Sequence, residues 1–389
     1  HAPRIAMVAG ETSGDLLAGL LLDGMQAHWP ALTAHGIGGP QMVRRGFDAR
    51  WPSDRLAVHG YSLELLHRLR ELLHIRKTLR TQLRHNRPDL FIGVDAPDFN
   101  LGLEADLRAT GIKTVHFVCP SIWAWRADRV EKIRRAADHV LCIFPFEPQL
   151  LARHGISASY VGHPLASVIP LAPDRAAARA ELGLAPTDTV LAILPGSRSA
   201  EIQYLAATFF HAAALIQQAL PAIKMIVPAI PALQQRMTGT AHNCGLADRL
   251  QIVTGQSHTV LAACDAALIA SGTATLEAAL FKRPMVIGYR MQGWSWRLMR
   301  RKQLQPWVGL PNILCGDFVV PELIQNAATP QALATATLRW LRARTEEPDT
   351  LAALEQRFTA LHKGSGPMGA AGASTPFTIS DLTPGTEYD

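Results

Sequence analysis

The stretch that most constrains the fold is residues 90–100, LFIGVDAPDFN, which starts as an apolar run and ends in two aspartates and a proline. A continuous apolar run is typical of a central parallel strand that is covered on both faces. Pro97 has no N–H for a strand ladder, so the strand should end before it. Ligands of open α/β sheets bind outside the carboxyl ends of the strands, so we expect Asp95 and Asp98 at the rim of a binding cleft. Asp95 is the better candidate for accepting a proton, whereas Asp98 could equally cap the next helix.

The size and composition of the chain indicate a globular protein of two domains. Its 389 residues exceed the length at which a single hydrophobic core usually stops growing. Hydrophobic residues make up 48% of the chain, but no run of about 18 uncharged apolar residues predicts a transmembrane helix. The net charge of +6 is compatible with an acidic partner, such as a nucleic acid, an anionic lipid or a phosphorylated substrate.

The five cysteines are scattered along the chain and show no CxxC spacing. This pattern argues against a disulfide framework or a zinc site and favours a reducing cytoplasm. The apolar segment 5–9 is not preceded by the basic stretch and cleavage site of a signal peptide, so we do not expect secretion.

Residues 4–15, RIAMVAGETSGD, predict a strand, a glycine-bearing turn and the start of a helix. Ser13 or Asp15 could cap that helix, and the glycines would let a ligand approach the backbone. The spacing is not GxGxxG, so the fingerprint of a dinucleotide-binding turn is absent.

Residues 62–87 alternate leucine with arginine. The apolar positions recur at spacings of three and four, which predicts an amphipathic helix with arginine beside its apolar stripe. Such a helix can lie in a membrane interface, with its apolar face in the lipid and its cations near the phosphates. An ordinary helix packed on the sheet, with a solvated basic face, explains the same pattern, so the residues alone leave both interpretations open.

The second half of the chain repeats the strand–loop–helix pattern and contains two loops suited to phosphate. The strand 190–194 is followed by PGSRSAE, in which Gly196 and Ser197 can offer N–H and hydroxyl donors at a helix N-terminus and Arg198 adds a forked cation. The strand 266–270 leads to SGTATLE, with hydroxyls on Ser271, Thr273 and Thr275 and a carboxylate on Glu277. Neither loop is a Walker motif, and a capped helix explains the second loop in isolation. The presence of both favours a nucleotide.

Three further features are candidates for binding. Asn312 follows a proline and could contact a base or a phosphate. Residues 120–126, PSIWAWR, could form an apolar wall beside a sugar or acyl chain, or could pack between domains. The basic residues in 297–302 could attract anionic headgroups. The tail 364–389 is rich in small residues and should be loosely ordered.

Taken together, these motifs resemble the lipid A disaccharide synthase family, whose members are inverting glycosyltransferases of Gram-negative bacteria. The resemblance covers roughly residues 4–362, and its motifs stand in the family's order: VAGETSGD, GIGGPQM, RLRELLHIRKTL, VDAPDFN, PSIWAWR, GHPLA, LPGSRSAEI, SGTATLEAAL, VIGYR and LPNIL. The family implies an α/β fold of the glycosyltransferase-B type, with two Rossmann-like doubly wound domains facing a cleft. Its reaction moves 2,3-diacylglucosamine from its UDP derivative to 2,3-diacylglucosamine 1-phosphate and yields the β-1,6-linked disaccharide phosphate and UDP.

The resemblance also implies a division of labour along the chain. Residues 1–167 would form the acceptor- and membrane-facing domain, completed by a helix at 345–362, and residues 168–344 would form the UDP-sugar-binding domain. The implied roles fall into four groups. The catalytic residues would be Asp95, as general base, and Arg198. The UDP-binding residues would be Ser197, Arg198, Ser271, Gly272, Thr273, Thr275, Glu277 and Asn312. The acceptor side would have Glu11, Ser13 and Asp98. The membrane would meet Leu65, Leu66, Leu69, Leu72, Leu73 and Arg76.

The resemblance implies no cofactor, and no Asp-x-Asp occurs in the chain, which favours a reaction without a metal ion. The expected partners are the two lipid-linked sugars and the cytoplasmic face of the inner membrane, with a homodimer possible and no nucleic acid. Two alternatives remain open: a UDP-sugar epimerase or another UDP-sugar transferase of the same fold, and a non-catalytic peripheral membrane protein that binds UDP-sugars.

Overall fold

The chain folds into two compact units, which meet in sequence between Pro164 and Leu165. The structure, a computed structural model, describes residues 2–56, 63–122, 129–291 and 306–365. The observed boundary lies three residues before the predicted one, inside a short helix, Pro164–Val168.

The first unit contains a parallel sheet of seven strands within the described residues. The strands are β1 (Arg4–Ala9), β2 (Thr33–Gly38), β3 (Asp48–Pro52), β4 (Leu90–Val94), β5 (Thr114–Phe117), β6 (His139–Cys142) and β7 (Ala158–Tyr160). Their order across the sheet is β3-β2-β1-β4-β5-β6-β7. The chain therefore winds outward in one direction from β1 and in the other direction from β4, which makes the β1–β4 pair the switch point of the sheet.

The helices of the first unit connect these strands. They are α1 (Glu11–His28), α2 (Pro40–Val43), α3 (Leu63–Asn86), α4 (Pro97–Arg108), α5 (Val130–Ala136) and α6 (Glu147–Ala152), with α7 (Pro164–Val168) at the boundary. A single turn of 3₁₀ helix, Ser53–Leu56, follows β3.

Strand β4 confirms the prediction from the apolar run. All five of its residues are buried, the strand ends at Val94, and Pro97 is the first residue of α4. Proline suits that position because the first helical N–H has no partner within the helix. Ile75, Leu79 and Leu83 of α3 are buried in the same core as Phe91 of β4.

Asp15 has a different role from the predicted one. Neither it nor Ser13 caps α1, whose N-cap is Gly10 without a side-chain bond. Instead, the buried Asp15 carboxylate accepts hydrogen bonds from the N–H groups of Gly39, Gln41 and Met42 at 2.8–3.1 Å. It thereby satisfies the free donors at the start of α2, which no side chain within that helix could reach.

The second unit contains a parallel sheet of six strands within the described residues. The strands are β8 (Val190–Leu194), β9 (Lys224–Ala229), β10 (Leu250–Thr254), β11 (Ala266–Ala270), β12 (Met285–Tyr289) and β13 (Glu322–Ile324). Their order is β10-β9-β8-β11-β12-β13, so β8 and β11 form the switch point.

The described helices of the second unit alternate with these strands along the chain. They are α8 (Arg175–Glu181), α9 (Ser199–Ala219), α10 (Pro231–Asn243), α11 (Ser257–Ala263), α12 (Thr273–Leu280), α13 (Leu310–Cys315), α14 (Pro330–Glu346) and α15 (Pro348–Ser365), together with a 3₁₀ turn, Gln325–Ala327. None of the described helices combines the length and the apolar character that crossing a membrane requires.

Helix α15 belongs to the second unit, whereas we expected the helix at 345–362 to complete the first domain. Its last turn is anchored by His362, which bonds the carbonyl of Ala166 at 2.9 Å and lies 2.7 Å from the Lys282 amine. Burial lowers the pKa of Lys282 to about 8. These polar contacts lie in the interior of the unit, which the periodicity of a terminal helix does not reveal.

Candidate active site

The rim of the first unit lies at the switch point between β1 and β4. Ala9 and Val94 are register partners in the parallel pair, so Gly10 and Asp95 leave the sheet side by side. At such a point the two connections run to opposite faces of the sheet and leave a crevice between them. The sequence predicted that Asp95 would lie at a strand end, and the strand order adds that this end is the switch point.

Asp95 lies in a strained elbow of backbone. Asp95 has φ 51° and Ala96 has φ 42°, both in the left-handed region that residues other than glycine rarely adopt. Val118, after the neighbouring strand β5, has φ 76°. Such conformations cost roughly 1–3 kcal/mol each and cluster where a fold holds functional groups. The Asp95 N–H donates to Phe117 O at 2.9 Å, which ties the elbow to β5.

Asp98 occupies the first turn of α4, while the N-cap of that helix, Ala96, offers no side-chain bond. The Asp98 side chain is 85% exposed and pairs with the largely buried Arg129 at 2.7 Å. The capping interpretation of Asp98 is therefore wrong in its detail, because the carboxylate points to a guanidinium and does not satisfy a helix N–H. Ser13 is exposed near the start of α1.

The rim of the second unit lies at the β8–β11 switch point. Leu194 and Ile269 are register partners, so the loops that follow β8 and β11 leave the sheet next to each other. Each loop runs directly into a helix N-terminus, at Ser199 for α9 and at Thr273 for α12. Two helix N-termini at one edge produce a positive potential suited to an anion.

The first of these loops already holds a carboxylate. Glu201 Oε2 accepts from the N–H groups of Ser197 and Arg198 at 2.8 and 3.2 Å. Its other oxygen lies 3.6 Å from the guanidinium of Arg198, which is 59% exposed. A side chain at Gly196 would collide with Glu201, so glycine is needed there. Of the predicted backbone donors, the N–H of Ser197 thus has a partner within the chain, while the Arg198 guanidinium and the Ser197 residue are exposed.

The hydroxyl residues of the second loop lie partly at the rim and partly in the interior. Gly272 and Thr273 are exposed and Ser271 is half-buried. Thr275 is fully buried, and its hydroxyl donates to Gly272 O at 2.7 Å. The prediction that Thr275 offers its hydroxyl to phosphate is therefore not supported by its position, since the hydroxyl closes the first turn of α12.

Glu277 is partly buried and faces α11. Its Oε2 lies 3.2 Å from Nε2 of His258. The sequence motifs did not predict a role for His258. His258 also packs edge-on against Phe281, with ring centroids 5.3 Å apart. A carboxylate held in this way keeps one oxygen available to a further hydrogen-bond donor.

Comparison with known proteins identifies the family. A family profile described as Lipid-A-disaccharide synthetase matches residues 5–366. The lipid-A-disaccharide synthase of Verminephrobacter eiseniae is 70% identical over 359 residues, which cover 92% of each chain. The chain belongs to the lipid-A-disaccharide synthetase family. The family and enzyme class predicted from the motifs, a glycosyltransferase, are confirmed.

Solved structures confirm the fold class of this family member. A glycosyltransferase from Rickettsia africae aligns with a TM-score of 0.56 over 95% of each chain, at 11% identity. A UDP-GlcNAc 2-epimerase from Neisseria meningitidis, bound to UDP-GlcNAc, aligns with a TM-score of 0.63 at 9% identity and covers 93% of this chain and 97% of its own. At such identities the likeness shows a shared fold and carries no argument about the reaction. The family profile and the 70% identical relative, and not these structures, are the reason that the epimerase alternative is not favoured.

Asn312 has a structural role in this chain. It is fully buried in α13, its amide donates to Val320 O and Glu322 Oε1, and its carbonyl accepts from the N–H groups of Val319 and Val320. All of its hydrogen-bonding capacity is used within the chain. This arrangement does not support the predicted direct contact between Asn312 and the nucleotide, because the polar atoms of the side chain are bonded within the chain.

The fold also brings together residues that sequence spacing did not connect. The ligand atoms of Cys119, Cys142 and Glu147, all buried, lie within 4.8 Å of one another. A hydrogen bond to Cys119 and burial raise the pKa of Cys142, and the Glu147 carboxylate accepts from the N–H of Phe144 at 3.0 Å. Within the described residues the cluster packs in the core of the first unit, and the Glu147 carboxylate bonds the turn that precedes α6.

The predicted membrane contacts on helix α3 differ in their exposure. Leu73 is 61% exposed, Leu72 is half-buried, and Arg76 lies against Gly102 of α4. Arg80 pairs with Asp106 of α4 at 2.7 Å. From residue 70 onward the helix is thus docked in its own unit through one face and exposes Leu73 on another.

The side chains of Glu11, Leu65, Leu66 and Leu69 lie outside the described part of the chain, as do residues 123–128, 292–305 and 366–389.

We predict that Asn312→Ala lowers the free energy of unfolding by about 3 kcal/mol, because it removes the side-chain partner of the N–H and carbonyl of the buried Val320 and one of the bonds to Glu322. Urea unfolding measures this change, with the exposed Asn326→Ala as the control that should leave stability unchanged. UDP affinity of the folded variant should match that of the wild type. Normal stability combined with weaker UDP binding would restore Asn312 as a nucleotide contact.

Proposed function

We propose that this chain transfers 2,3-diacylglucosamine from its UDP derivative to the 6-hydroxyl of 2,3-diacylglucosamine 1-phosphate, with inversion at the anomeric carbon, and releases UDP. The name of the V. eiseniae relative supports a disaccharide product of this kind. The observation that carries the proposal is the chemistry of the two rims. One holds a carboxylate at a strained elbow, and the other holds two helix N-termini and an exposed arginine.

The second unit would bind the donor. Its diphosphate would lie at the β8–β11 rim, with the Arg198 guanidinium bonding phosphate oxygens and Ser197, Ser271, Gly272 and Thr273 supplying hydroxyl and N–H donors. Glu277 would accept hydrogen bonds from the ribose hydroxyls. As the glycosidic bond breaks, negative charge grows on the departing UDP, and fixed donors stabilise that charge without the cost of reorganising water.

Glu201 modifies this assignment. Its carboxylate occupies the N–H groups of Ser197 and Arg198, so a diphosphate can bind through the Arg198 side chain while those backbone donors stay paired. The other oxygen of Glu201 lies 3.6 Å from the guanidinium, which leaves most of that group exposed to a ligand.

The first unit would bind the acceptor, with Asp95 as the general base and Glu11, Ser13 and Asp98 near the acceptor. As the hydroxyl oxygen attacks the anomeric carbon, its proton passes to the Asp95 carboxylate and the bonding pair of the breaking C–O bond leaves with UDP. A carboxylate at hydrogen-bond distance typically contributes about 10²–10⁴-fold to such a step. No metal ion is needed, because the positive charge comes from Arg198 and the helix N-termini.

Both substrates carry acyl chains, so we also propose that the protein works as a peripheral protein on the cytoplasmic face of the inner membrane. Helix α3 would provide the contact, with Leu73 entering the interface and Lys77 near the phosphates. Both side chains are exposed in the described structure. A homodimer stays a prediction.

We predict that Asp95→Asn lowers turnover about 10²–10⁴-fold in a detergent assay of disaccharide and UDP formation, because the amide cannot accept the proton. UDP affinity should stay unchanged. Asp106→Asn, further along α4, is the matched control and should keep wild-type turnover. Near-normal turnover of Asp95→Asn would remove it as the base, and absence of both products with the wild type would refute the transferase proposal.

We predict that Arg198→Ala weakens UDP binding by about 10–100-fold in calorimetry, since a charge-assisted hydrogen bond contributes roughly 1.5–3 kcal/mol. Arg236→Ala, an exposed arginine on α10, serves as the control for the lost charge. Equal affinities of Arg198→Ala and the wild type would move the diphosphate away from this loop.

We predict that Leu73→Glu reduces partitioning onto anionic vesicles by about tenfold. The change replaces apolar area that would enter the lipid with a negative charge that anionic headgroups repel. Leu171→Glu changes another exposed leucine, in the second unit, and should have no effect. The membrane assignment of α3 fails if both variants bind like the wild type or lose binding equally.

A further inference from the structure

A buried polar cluster lies behind the elbow of Asp95, and the proposed reaction does not use it directly. Its members are Asn100 and Glu104, one turn apart on α4, and His116 on β5, and all three are fully buried. Burying three polar side chains costs free energy unless each is fully hydrogen-bonded. This cluster therefore needs a physical explanation.

Asn100 holds the elbow. Its amide nitrogen donates to Asp95 O at 2.8 Å and lies 3.2 Å from Val8 O and 3.4 Å from Val94 O. These carbonyls belong to the ends of β1 and β4, so one amide joins both strands of the switch point and fixes the carbonyl of the strained residue. The left-handed conformation of Asp95 persists because such contacts over-determine it.

Glu104 and His116 form a close pair, with Oε1 2.8 Å from Nδ1. The strand beside them leaves room for this pair, because a side chain at Gly93 would collide with Glu104 and press on Asn100. Glycine in the interior of a strand weakens it, so its use here indicates that the space has another purpose.

The cluster is not fully satisfied within the part of the chain that the structure describes. Asn100 Oδ1, Glu104 Oε2 and His116 Nε2 are buried without a hydrogen-bond partner there. Each such atom costs about 1–3 kcal/mol, so a network that served stability alone would be a poor solution. Apolar residues of similar volume would pack the same space at lower cost.

The charges around the pair couple it to Asp95. Burial raises the pKa of Glu104. For His116, burial opposes the charged form, but the Glu104 carboxylate outweighs it and the charge of Asp95 acts in the same direction, so the pKa of His116 is raised. Arg129, which precedes α5, opposes this effect. The charged form of His116 is thus favoured, and the groups that face this ring are Glu104, Asp95 and Arg129.

We infer that Asn100, Glu104 and His116 are positioning residues that act through Asp95: Asn100 fixes the elbow that carries it, and Glu104 holds a charged His116 ring that favours the ionised Asp95 carboxylate, the form that accepts a proton. Coupling between two titrating groups is reciprocal, so if Asp95 stabilises the proton on His116, that proton equally favours the ionised form of Asp95. The inference rests on the proposed role of Asp95 as the base.

The pH dependence of turnover tests the inference in the active enzyme. His116→Asn should move the acid limb of the kcat profile upward by roughly half to one pH unit, because ionised Asp95 loses a favourable charge. The KM for the UDP-sugar should stay unchanged. His139→Asn is the matched control, since His139 is also buried, on the neighbouring strand, and bonds Ser157 and Ser159. The inference is overturned if the acid limb does not move in His116→Asn, or if it moves as far in His139→Asn.

A titration without substrate separates this inference from the proposed function and does not require a variant of the buried pair. The imidazole of His116 is followed by ¹⁵N NMR in the wild type and in Asp95→Asn, with His139 as the internal reference. We expect His116 to release its proton at a pH lower by roughly half a unit in Asp95→Asn, while His139 titrates as before. Identical His116 titrations refute the coupling, whatever the activity assay gives. A wild type that makes no disaccharide refutes the proposed function and leaves the titration to decide the coupling.

Discussion

The amide of Asn100 is the contact on which the rim of the first unit depends. Parallel strands hold their neighbours through the ladder, but the ladder stops at Val94, and beyond it the chain must turn sharply into α4. The bonds from Asn100 to the ends of β1 and β4 continue the restraint past the last ladder bond. Without them, the two consecutive left-handed residues Asp95 and Ala96 would lose a tie to the ends of both strands.

The architecture was largely predictable, because buried parallel strands have a strong sequence signal. The runs at Leu90–Val94, Val190–Leu194 and Ala266–Ala270 are continuous, apolar and bounded by small residues, and the structure places strands with those bounds. Short edge strands carry no such signal. Strand β13, Glu322–Ile324, is half-buried and three residues long, and its position depends on Asn312 and Gly309 contacting Glu322. The unit that α15 joins depends likewise on tertiary contacts such as that of His362, which helical periodicity does not encode.

The candidate site was predictable in location and less so in detail. Glycines and hydroxyls at strand ends indicate a rim, but they do not say which polar atoms the fold has already used. Thr275 and Asn312 both fit a binding motif, yet both are buried and spend their hydrogen bonds on nearby backbone. Conversely, Glu104 and His116 are twelve residues apart and carry no motif. They come together only because α4 packs back across β5, which is a consequence of the sheet order.

The carboxylate of Glu201 has a consequence for the nucleotide cycle. It is bonded to two N–H donors of its own loop, so a negative charge of the chain itself already lies against them. On the proposed assignment, UDP-sugar enters a loop whose strongest backbone donors are engaged, which limits how tightly any diphosphate is retained. A product that carries the same diphosphate as the substrate would otherwise be a potent inhibitor. An internal anion of this kind favours turnover over affinity, and it does so with one residue in the first turn of α9.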